Sequence, residues 1–335
     1  MTEQHDRLLD HPVLCGGSPQ ALGLAVAIAR TGARVTLLEE NPSDVQRARD
    51  LLVRAGAETG IVVTNDPGAA RGATVLIAAS DSAGPCPLAP LRPIASPDAL
   101  VARMGGDVSV ADDVLTMETI APPPDPGLIE LHATASTDRA TLDRARHFAK
   151  VLGVPSITTP RPIAAALIAT IEDCAEDLIF DGSTPWDVDT ALESVGFGLG
   201  PCAAQDLRGL DRAYARHRAE DARGHRALPL PVLDRMVPEG RLGRKGGVGW
   251  YRYPGGGGRV IDPLVEDLAR EEAHFARHPT RDILPAEIIA RVREALRRAA
   301  LDLSRDVPRP TIIQIAAIAL DCATIGPLLF PEDPA

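Results

Sequence analysis

The first half of the chain alternates short strand-like apolar runs with helix-like runs. Residues 13–38 contain a strand-like run (VLC), a small-residue turn (GGSPQ), a helix-like run (ALGLAVAIARTG) and a second strand-like run (ARVTLLEE), which together predict one βαβ unit. Further strand-like runs lie at 61–64, 74–80, 115–120, 128–133 and 154–159, and residues 137–152 have a helix pattern. Strands that alternate with helices predict a largely parallel sheet covered on both faces.

The pattern changes after Pro162, where helix-like runs replace the strand-like ones. No convincing buried strand follows until the short run GWYRY at 249–253, so we expect a domain boundary near residue 160. The run PGGGG at 254–258 has the composition of a flexible linker and precedes another helical stretch. The sequence therefore predicts three units, which span residues 1–159, 160–254 and 262–330.

Charge and cysteine usage exclude several classes of partner. The formal net charge of −11 and the pI of about 5.2 argue against a nucleic-acid partner, since phosphate backbones attract clustered Lys and Arg. The first residues lack the apolar core of a signal peptide, and no apolar stretch is long enough to cross a bilayer, so we expect a cytoplasmic protein without membrane contact. The five cysteines have no CxxC spacing, so neither a zinc site nor a disulfide framework is expected.

The turn after the first strand has part of a dinucleotide-binding pattern. Such turns are glycine-rich because a side chain would block the tight turn, the approach of the pyrophosphate or the packing of the helix. Gly16 holds the first glycine position, Ser18 the second and Ala21 the third. Ser18 places a hydroxymethyl group where the phosphate comes closest. Glu39, at the end of the next strand, can bind ribose hydroxyls and repel a 2′-phosphate, so NAD is expected rather than NADP.

The second half of the chain resembles the C-terminal domain of the 3-hydroxyacyl-CoA dehydrogenases. The motifs VDTAL, GFGLGP, DLRGLD and GRLGRKGGVGWY occur in the family's order and close to its spacing. The last stretch, with PAEIIARVREALRRAALDL and GPLLF, resembles a degenerate second copy of that domain. The resemblance implies an α/β Rossmann-type N-terminal domain, an all-α C-terminal region of two related helical units, NAD as cofactor and a small acyl thioester or hydroxy acid as substrate.

Tandem copies of this kind occur in multifunctional β-oxidation enzymes and in 3-hydroxyadipyl-CoA-type dehydrogenases. There the second copy can take the place of a partner subunit within one chain, so we expect residues 262–330 to dock on residues 160–253. This contact should bury the apolar faces of the last unit, including Ile288, Val292, Leu296 and Ile312.

The resemblance also implies where the catalytic residues should lie, and several of them differ. The segment ETIAPPPDPGLIELH aligns without a gap to the family's His-Phe-Phe-Asn-Pro region, with Pro122 and Pro124 on the family's prolines and Glu130 on the Glu that orients the catalytic His. Glu118 occupies the position of that His. Ala164 or Ala165 replaces the substrate-binding Asn. About twenty residues connect Glu40 to Val62, where the family inserts a helical hairpin that helps clamp CoA.

An acid–base site remains possible with these residues. If Glu118 and Glu130 face each other, charge repulsion raises one pKa and gives an acid and a base in one site. His132 lies two residues beyond Glu130, on the same face of a strand, and could supply a displaced imidazole. The basic residues Arg241, Arg244 and Lys245 could meet a phosphate or carboxylate, although in the family this segment is chiefly a structural turn.

Three functions stay open from the sequence alone. The first is an NAD-dependent 3-hydroxyacyl-CoA dehydrogenase-like oxidoreductase with a divergent catalytic site. The second is a redox-neutral acid–base enzyme of the dehydratase or isomerase type that uses the Glu118/Glu130 pair. The third is a catalytically silent protein that binds an acyl group or a carrier. Fold resemblance does not decide among them, because function resides in the site.

Overall fold

The computed structural model describes residues 7–79, 88–105, 114–120, 127–224 and 231–331. The chain divides into two compact units, Met1–Pro162 and Ile163–Ala335, which we call the Rossmann unit and the helical unit. The two helical segments that the sequence predicts as separate units lie together in the helical unit. No helix in the described ranges is both long and apolar enough to span a membrane.

The Rossmann unit contains one eight-stranded sheet. Its strands are β1 (Pro12–Cys15), β2 (Val35–Leu38), β3 (Ile61–Thr64), β4 (Val75–Ala78), β5 (Leu100–Met104), β6 (Leu115–Ile120), β7 (Leu128–His132) and β8 (Ser156–Thr159), and its α-helices are α1 (Pro19–Arg30), α2 (Pro42–Arg54) and α3 (Arg139–Val151). The strand order is β3-β2-β1-β4-β5-β6-β7-β8. Strands β1 to β6 are parallel, β7 is antiparallel to β6, and β8 is parallel to β7. The largely parallel sheet predicted from the alternation is confirmed.

Alternate residues of the central strands point into two separate cores, as the period of two requires. Leu14 and Ile77 belong to one core, which contains the buried residues of α1, α2 and α3. Val13 and Leu76 belong to the other core, whose outer layer includes the irregular segment 88–99. The sheet is therefore covered on both faces, with the three helices on one face and irregular chain on the other.

The helical unit is built around a long central helix, α4. Its helices are α4 (Ile163–Phe180), α5 (Pro185–Glu193), α6 (Pro201–Arg208), α7 (Leu210–Ala222), α8 (Pro231–Met236), α9 (Pro263–Phe275), α10 (Pro285–Leu303), α11 (Arg309–Ala319) and α12 (Gly326–Leu329). Both α10 and α11 pack against α4. Four residues of these two helices are at most 1% exposed: Ile288, Val292, Leu296 and Ile312. The expected docking of the last stretch on residues 160–253 of the same chain is confirmed.

The glycine run at 254–258 has a different role from the one that its composition suggests. Strands β9 (Tyr251–Arg252) and β10 (Val260–Ile261) pair in antiparallel fashion on either side of it. The run is therefore the turn of a short hairpin within the helical unit, and not a linker between two units.

Candidate functional site

The two acidic residues singled out on β6 and β7 lie opposite each other. Glu118 and Glu130 are register partners in the antiparallel β6–β7 pair, so their side chains project from the same face of the sheet. Glu130 is fully buried, whereas Glu118 is half-buried. Glu118 is also the third residue from the carboxyl end of β6, the edge at which open α/β sheets bind their ligands. Pro122 and Pro124, which the sequence aligns nearby, lie outside the described residues.

A threonine that sequence reasoning missed completes the buried part of this group. Strand β8 places Thr159 beside His132 on β7. The Thr159 hydroxyl donates to Glu130 Oε1 at 2.8 Å and lies 3.3 Å from His132 Nδ1. Glu130 Oε1 and His132 Nδ1 are 3.9 Å apart. Thr159 thus connects the carboxylate and the imidazole, a link between residues 29 positions apart that no local pattern signals.

His132 is 3% exposed, and burial lowers its pKa to about 4, so its imidazole is neutral at neutral pH. Because the Thr159 hydroxyl donates to Glu130, its oxygen is left to accept a proton from His132 Nδ1, which assigns the Nδ1–H tautomer. His132 pairs with Thr116 and therefore lies two residues, or about 7 Å, farther from the ligand-binding edge than Glu118 does. Glu118 is the better placed of the two for contact with a substrate.

The predicted dinucleotide turn begins helix α1 with its own cap. Gly16 has a φ of 99°, which glycine adopts without strain. The Ser18 hydroxyl is the N-cap of α1 and accepts from the Ala21 backbone N–H at 3.1 Å. Pro19, the first residue of the helix, has no N–H to offer. Ala21 is fully buried, which accounts for a small residue at the third position of the motif.

Glu39 directly follows β2 and lies against this turn. The residue is 7% exposed, and its Oε1 has no hydrogen-bond partner among the described residues. A Cβ atom added at Gly17 would come within 1.9 Å of that oxygen. Burial raises the pKa of Glu39, and the carboxylate of Asp44 raises it further. The sequence predicts Glu39 as a ribose ligand but does not indicate its burial.

Glu39 and the turn at the start of α1 suit the ribose of a dinucleotide better than its pyrophosphate. The unpartnered oxygen of Glu39 suits the hydroxyls of a ribose. The start of α1, where a pyrophosphate would bind, has its Ala21 N–H engaged by Ser18 and lacks an N–H at Pro19. The turn therefore offers an acceptor to a ribose and fewer free N–H donors to a pyrophosphate than a glycine-rich turn does.

The motifs of the helical unit form a buried hydrogen-bond network. Asp206 accepts from the backbone N–H groups of Trp250 and Tyr251 and from the Tyr253 hydroxyl, each at 2.9 Å. Asp189 accepts from the Cys202 backbone N–H at 2.8 Å and, like Asp206, from a tyrosine hydroxyl. These motif residues thus have a structural role, since they fix the 250–253 segment and the start of α6 by hydrogen bonds.

The basic residues at 241–245 have partners of their own. Arg241 donates to the Gly249 carbonyl at 2.8 Å and pairs with Asp262, and Lys245 contacts Asp211 at 2.6 Å. These contacts match the structural turn that the resemblance implies. Among the described residues, no group of His, Cys, Asp and Glu side chains is arranged to hold a metal ion.

Comparison with known proteins agrees with this geometry. The family model for the 3-hydroxyacyl-CoA dehydrogenase C-terminal domain matches residues 163–253. The 3-hydroxybutyryl-CoA dehydrogenase of Escherichia coli shares the fold with a TM-score of 0.63, over 93% of this chain and 89% of that chain, at 15% identity. Residues 163–253 are therefore similar to this family's C-terminal domain, and the predicted resemblance of the chain to the 3-hydroxyacyl-CoA dehydrogenases is confirmed. Members of this family use NAD.

Two curated relatives show how far the similarity to this family extends. A 3-hydroxybutyryl-CoA dehydrogenase of Mycobacterium tuberculosis is 28% identical over 192 residues, which are 48% of this chain and 63% of that protein. The peroxisomal bifunctional enzyme of Cavia porcellus is 24% identical over 294 residues, which are 72% of this chain and 39% of that enzyme. The chain spans 39% or less of the length of the peroxisomal bifunctional enzymes that it matches.

Proposed function

We propose that the protein is an NAD-dependent oxidoreductase of the 3-hydroxyacyl-CoA dehydrogenase type, with Glu118 in the place of the catalytic histidine. Its substrate is a 3-hydroxyacyl thioester or a related hydroxy acid. The observation that carries the proposal is the register of β6 and β7, which sets Glu118 directly opposite Glu130. The resemblance implies a His–Glu pair at these two positions, so the frame of the acid–base site is present with one member changed.

In this proposal Glu118 is the group that takes the proton of the substrate hydroxyl. It is half-buried near the ligand-binding edge, while Glu130 lies behind it and is held by the Thr159 hydroxyl. NAD, when bound, supplies the hydride acceptor. A carboxylate is a weaker base than an imidazole near neutral pH, and general acid–base catalysis contributes about 10²–10⁴-fold. We therefore expect slow turnover with ordinary family substrates.

The segment between β2 and β3 bears on the substrate. It contains one described helix, α2 (Pro42–Arg54), where the resemblance implies a helical hairpin that clamps CoA. With less protein available to hold the nucleotide part of CoA, that part should contribute little to binding. We propose that thioesters with a short carrier are accepted about as well as CoA thioesters.

The test is a rate measurement with 3-hydroxybutyryl-CoA and its N-acetylcysteamine thioester, followed by the absorbance of NADH. We expect slow NADH formation with both thioesters, and its loss in Glu118→Gln. Glu58→Gln removes an exposed carboxylate in the same unit and should leave the rate unchanged. If Glu118→Gln is as active as the wild type, Glu118 is not the base. If the wild type binds NAD but oxidises neither thioester, the oxidoreductase proposal is wrong.

The same carboxylate pair would also suit a redox-neutral enzyme, which is the second candidate. Two acidic side chains on one face of the sheet can act as acid and base without a hydride acceptor. Such an enzyme would exchange the protons next to the thioester carbonyl with deuterated solvent in the absence of NAD. Exchange observed by NMR without NAD, together with no NADH formation, would favour this candidate over the first.

A further inference from the structure

The helical unit contains a small cavity that is bordered by the end of α4, by α9 and by the connection from α9 to α10. Its volume is about 230 Å³, whereas one water molecule needs roughly 10–15 Å³, so a small organic molecule fits. Ile179, which lines the cavity, lies fifteen residues, or about 22 Å, along α4 from Ala164. The cavity is therefore separate from the position at which the resemblance expects the substrate-binding residue.

The buried side chains of the cavity lining are apolar except for one hydroxyl. Ile179 and Ala269 are at most 5% exposed. Ser183 is 7% exposed, and its Oγ has no hydrogen-bond partner in the part of the chain that the structure describes. A buried hydroxyl without a partner costs free energy, and rotation about the Cα–Cβ bond moves its oxygen among three staggered positions. A ligand that offers a hydrogen-bond acceptor in the cavity would remove that cost.

The more exposed side chains of the lining include two acidic and two basic groups. Glu266 and Arg270 lie one helical turn apart on α9 and form an ion pair, while Arg281 and Asp282 belong to the connection from α9 to α10. Each of these two walls thus carries one acidic and one basic side chain, and the lining has no net charge. An anion or a cation would meet repulsion as well as attraction there, whereas a zwitterion can place each of its charges beside the opposite one.

The connection that borders the cavity is fastened to the end of α4. The Arg281 backbone N–H donates to the Asp181 carbonyl at 3.0 Å. Gly182 has a φ of 119°, and a Cβ atom there would lie 2.5 Å from the backbone oxygen of Arg281, so the two segments approach closely. The ring of His278 stacks on that of Phe180 with their centroids 4.5 Å apart. The walls are thus held in place without a ligand, which lowers the cost of binding one.

We propose that this cavity binds a small zwitterion, of the class of amino acids in which a short methylene chain joins the ammonium and carboxylate groups. The carboxylate accepts from the Ser183 hydroxyl and from a guanidinium group, the ammonium group donates to an acidic side chain, and the methylenes lie against the apolar residues. The guanidinium groups of Arg270 and Arg281 are 60% and 57% exposed, so their present ion pairs cost little to redirect. The proposal does not rest on the oxidoreductase activity.

Calorimetric titration of the full chain with matched small molecules tests the proposal. The zwitterions are glycine, β-alanine and γ-aminobutyrate, in which the separation of the two charges increases. Butyrate and n-propylamine have the three-carbon chain of γ-aminobutyrate with one of its two charges. We expect at least one zwitterion to bind with a dissociation constant of about 1 mM or below, and at least about tenfold more tightly than butyrate and propylamine, since each of these lacks one charged contact.

Variants of the lining locate the site. Ser183→Ala should weaken binding of the zwitterion about fivefold, because a hydrogen bond to its carboxylate is lost. The double variant Arg270→Gln, Arg281→Gln should weaken it at least about tenfold. The matched control is the double variant Arg298→Gln, Arg305→Gln, which also removes two exposed, ion-paired guanidinium groups of the helical unit but does not alter the cavity lining. Affinity in the control should equal that of the wild type.

A further variant, Ala269→Leu, places a larger side chain in the cavity and should abolish binding; if it does not fold, Ser183→Ala and the double variant still decide the question. Three results would overturn the proposal. They are no binding of any zwitterion up to about 10 mM, binding of butyrate as tight as that of γ-aminobutyrate, and zwitterion binding that neither Ser183→Ala nor the Arg270/Arg281 double variant weakens. Because every measurement is of binding, an inactive protein contradicts the proposed function alone.

Discussion

The helical unit closes its acidic motif residues into a hydrogen-bond network, whereas the Rossmann unit keeps two acidic groups beside the edge where ligands bind. Asp206 accepts three hydrogen bonds from the 250–253 segment. Glu39, directly after β2, has an oxygen without a hydrogen-bond partner in the part of the chain that the structure describes, and Glu118 is half-buried near the end of β6. The difference shows that the motif residues of the helical unit serve folding, whereas the acidic residues of the Rossmann unit lie where the fold places its ligands.

Physical cost explains why the two regions differ. Removal of a buried acceptor such as Asp206 would leave three donors unsatisfied inside the helical unit, and each buried unsatisfied group costs about 1–3 kcal/mol. Glu118 is half-buried near the ligand-binding edge, so we expect its replacement to cost less stability than that of Asp206. The comparison therefore predicts large effects on activity in one unit and large effects on stability in the other.

The largest expected effect is on the rate. Glu118→His places an imidazole opposite Glu130, the pair that the resemblance implies. Because imidazole has a pKa near neutrality, kcat/KM for 3-hydroxybutyryl-CoA oxidation should rise by about 10²–10⁴-fold. The measurement is steady-state NADH formation at saturating NAD. Glu118→Asn is the control and should give no increase. An unchanged rate in a folded Glu118→His protein that binds NAD would place the reactive centre elsewhere.

The second prediction compares one glycine from each unit. A Cβ atom at Gly243, which has a φ of 87°, would lie 2.4 Å from the backbone oxygen of Asp206. Relief of this clash would require a shift of the backbone at one of the two residues. Gly243→Ala should lower the free energy of unfolding by about 3 kcal/mol. A Cβ atom at Gly17 would clash with the end of the flexible Glu39 side chain and otherwise make an ordinary contact with Ala48, so Gly17→Ala should cost about 1 kcal/mol and weaken NAD binding.

Denaturant titration separates the two outcomes, because both tryptophans, Trp186 and Trp250, lie in the helical unit and their fluorescence follows that unit. Circular dichroism follows both units. Gly258→Ala is the control, since nothing lies within 4 Å of a Cβ atom there. Equal loss of stability in Gly17→Ala and Gly243→Ala would contradict the contrast between the units.

The sequence predicts the helices and strands of both units better than it predicts their side-chain contacts. The apolar runs locate β1, α1, β2, β6 and β7. The resemblance singles out Glu118 and Glu130 as a pair that could face each other, and the register sets them opposite. Strand β5 (Leu100–Met104) was missed, because it follows a proline-rich segment and has no flanking pattern. Periodicity shows which residues face inward, and it does not show which buried groups meet across strands.

The contacts that depend on side-chain geometry could not be predicted. Thr159 joins Glu130 to His132 through a hydroxyl whose partner is distant in sequence. Ser18 was predicted to obstruct a phosphate by its size, whereas in the structure its main contact is the cap of α1. Both facts depend on rotamers, which the chain's pattern of apolar and polar residues leaves open.

The third prediction concerns pH, because burial shifts the pKa of one acidic group and one basic group in opposite directions. Burial raises the pKa of Asp206 from 3.8 to about 6, so between these values the folded unit holds a proton that the unfolded chain has released. The stability that Asp206 contributes is therefore lost as pH rises from 3.8 to 6. Burial lowers the pKa of His132 from 6.5 to about 4, so its contribution is lost as pH falls from 6.5 to 4. Each contribution is about 3 kcal/mol at most.

Hydrogen exchange between pH 4 and pH 6.5 measures the two units separately. After correction for the intrinsic exchange rate, Asp206→Asn should flatten the pH dependence of the helical unit, and His132→Gln should flatten that of the sheet. NMR titration of His132 in the wild type checks its pKa directly and does not require a variant to fold. If the stability of both units changes in the same direction with pH, and both variants alter it equally, the predicted contrast between the units is wrong.

The smallest expected effect concerns the choice between NAD and NADP at the Rossmann unit. With a ribose bound at Glu39, as the sequence predicts, a 2′-phosphate would bring a second negative charge against the carboxylate, so the wild type should bind NAD at least about tenfold more tightly than NADP. Glu39→Ala removes the repulsion together with the ribose contact. In this variant the preference for NAD over NADP should narrow to within about threefold, mainly because NAD binding weakens.

Glu40→Ala is the control, because it removes an exposed neighbouring charge and should leave the preference for NAD over NADP nearly unchanged. Fluorescence titration with NADH and NADPH gives all the constants. A wild-type protein that binds NADPH as tightly as NADH would show that the Glu39 carboxylate does not face the ribose, and the ligand-facing role given to this end of the sheet would then depend on Glu118 alone.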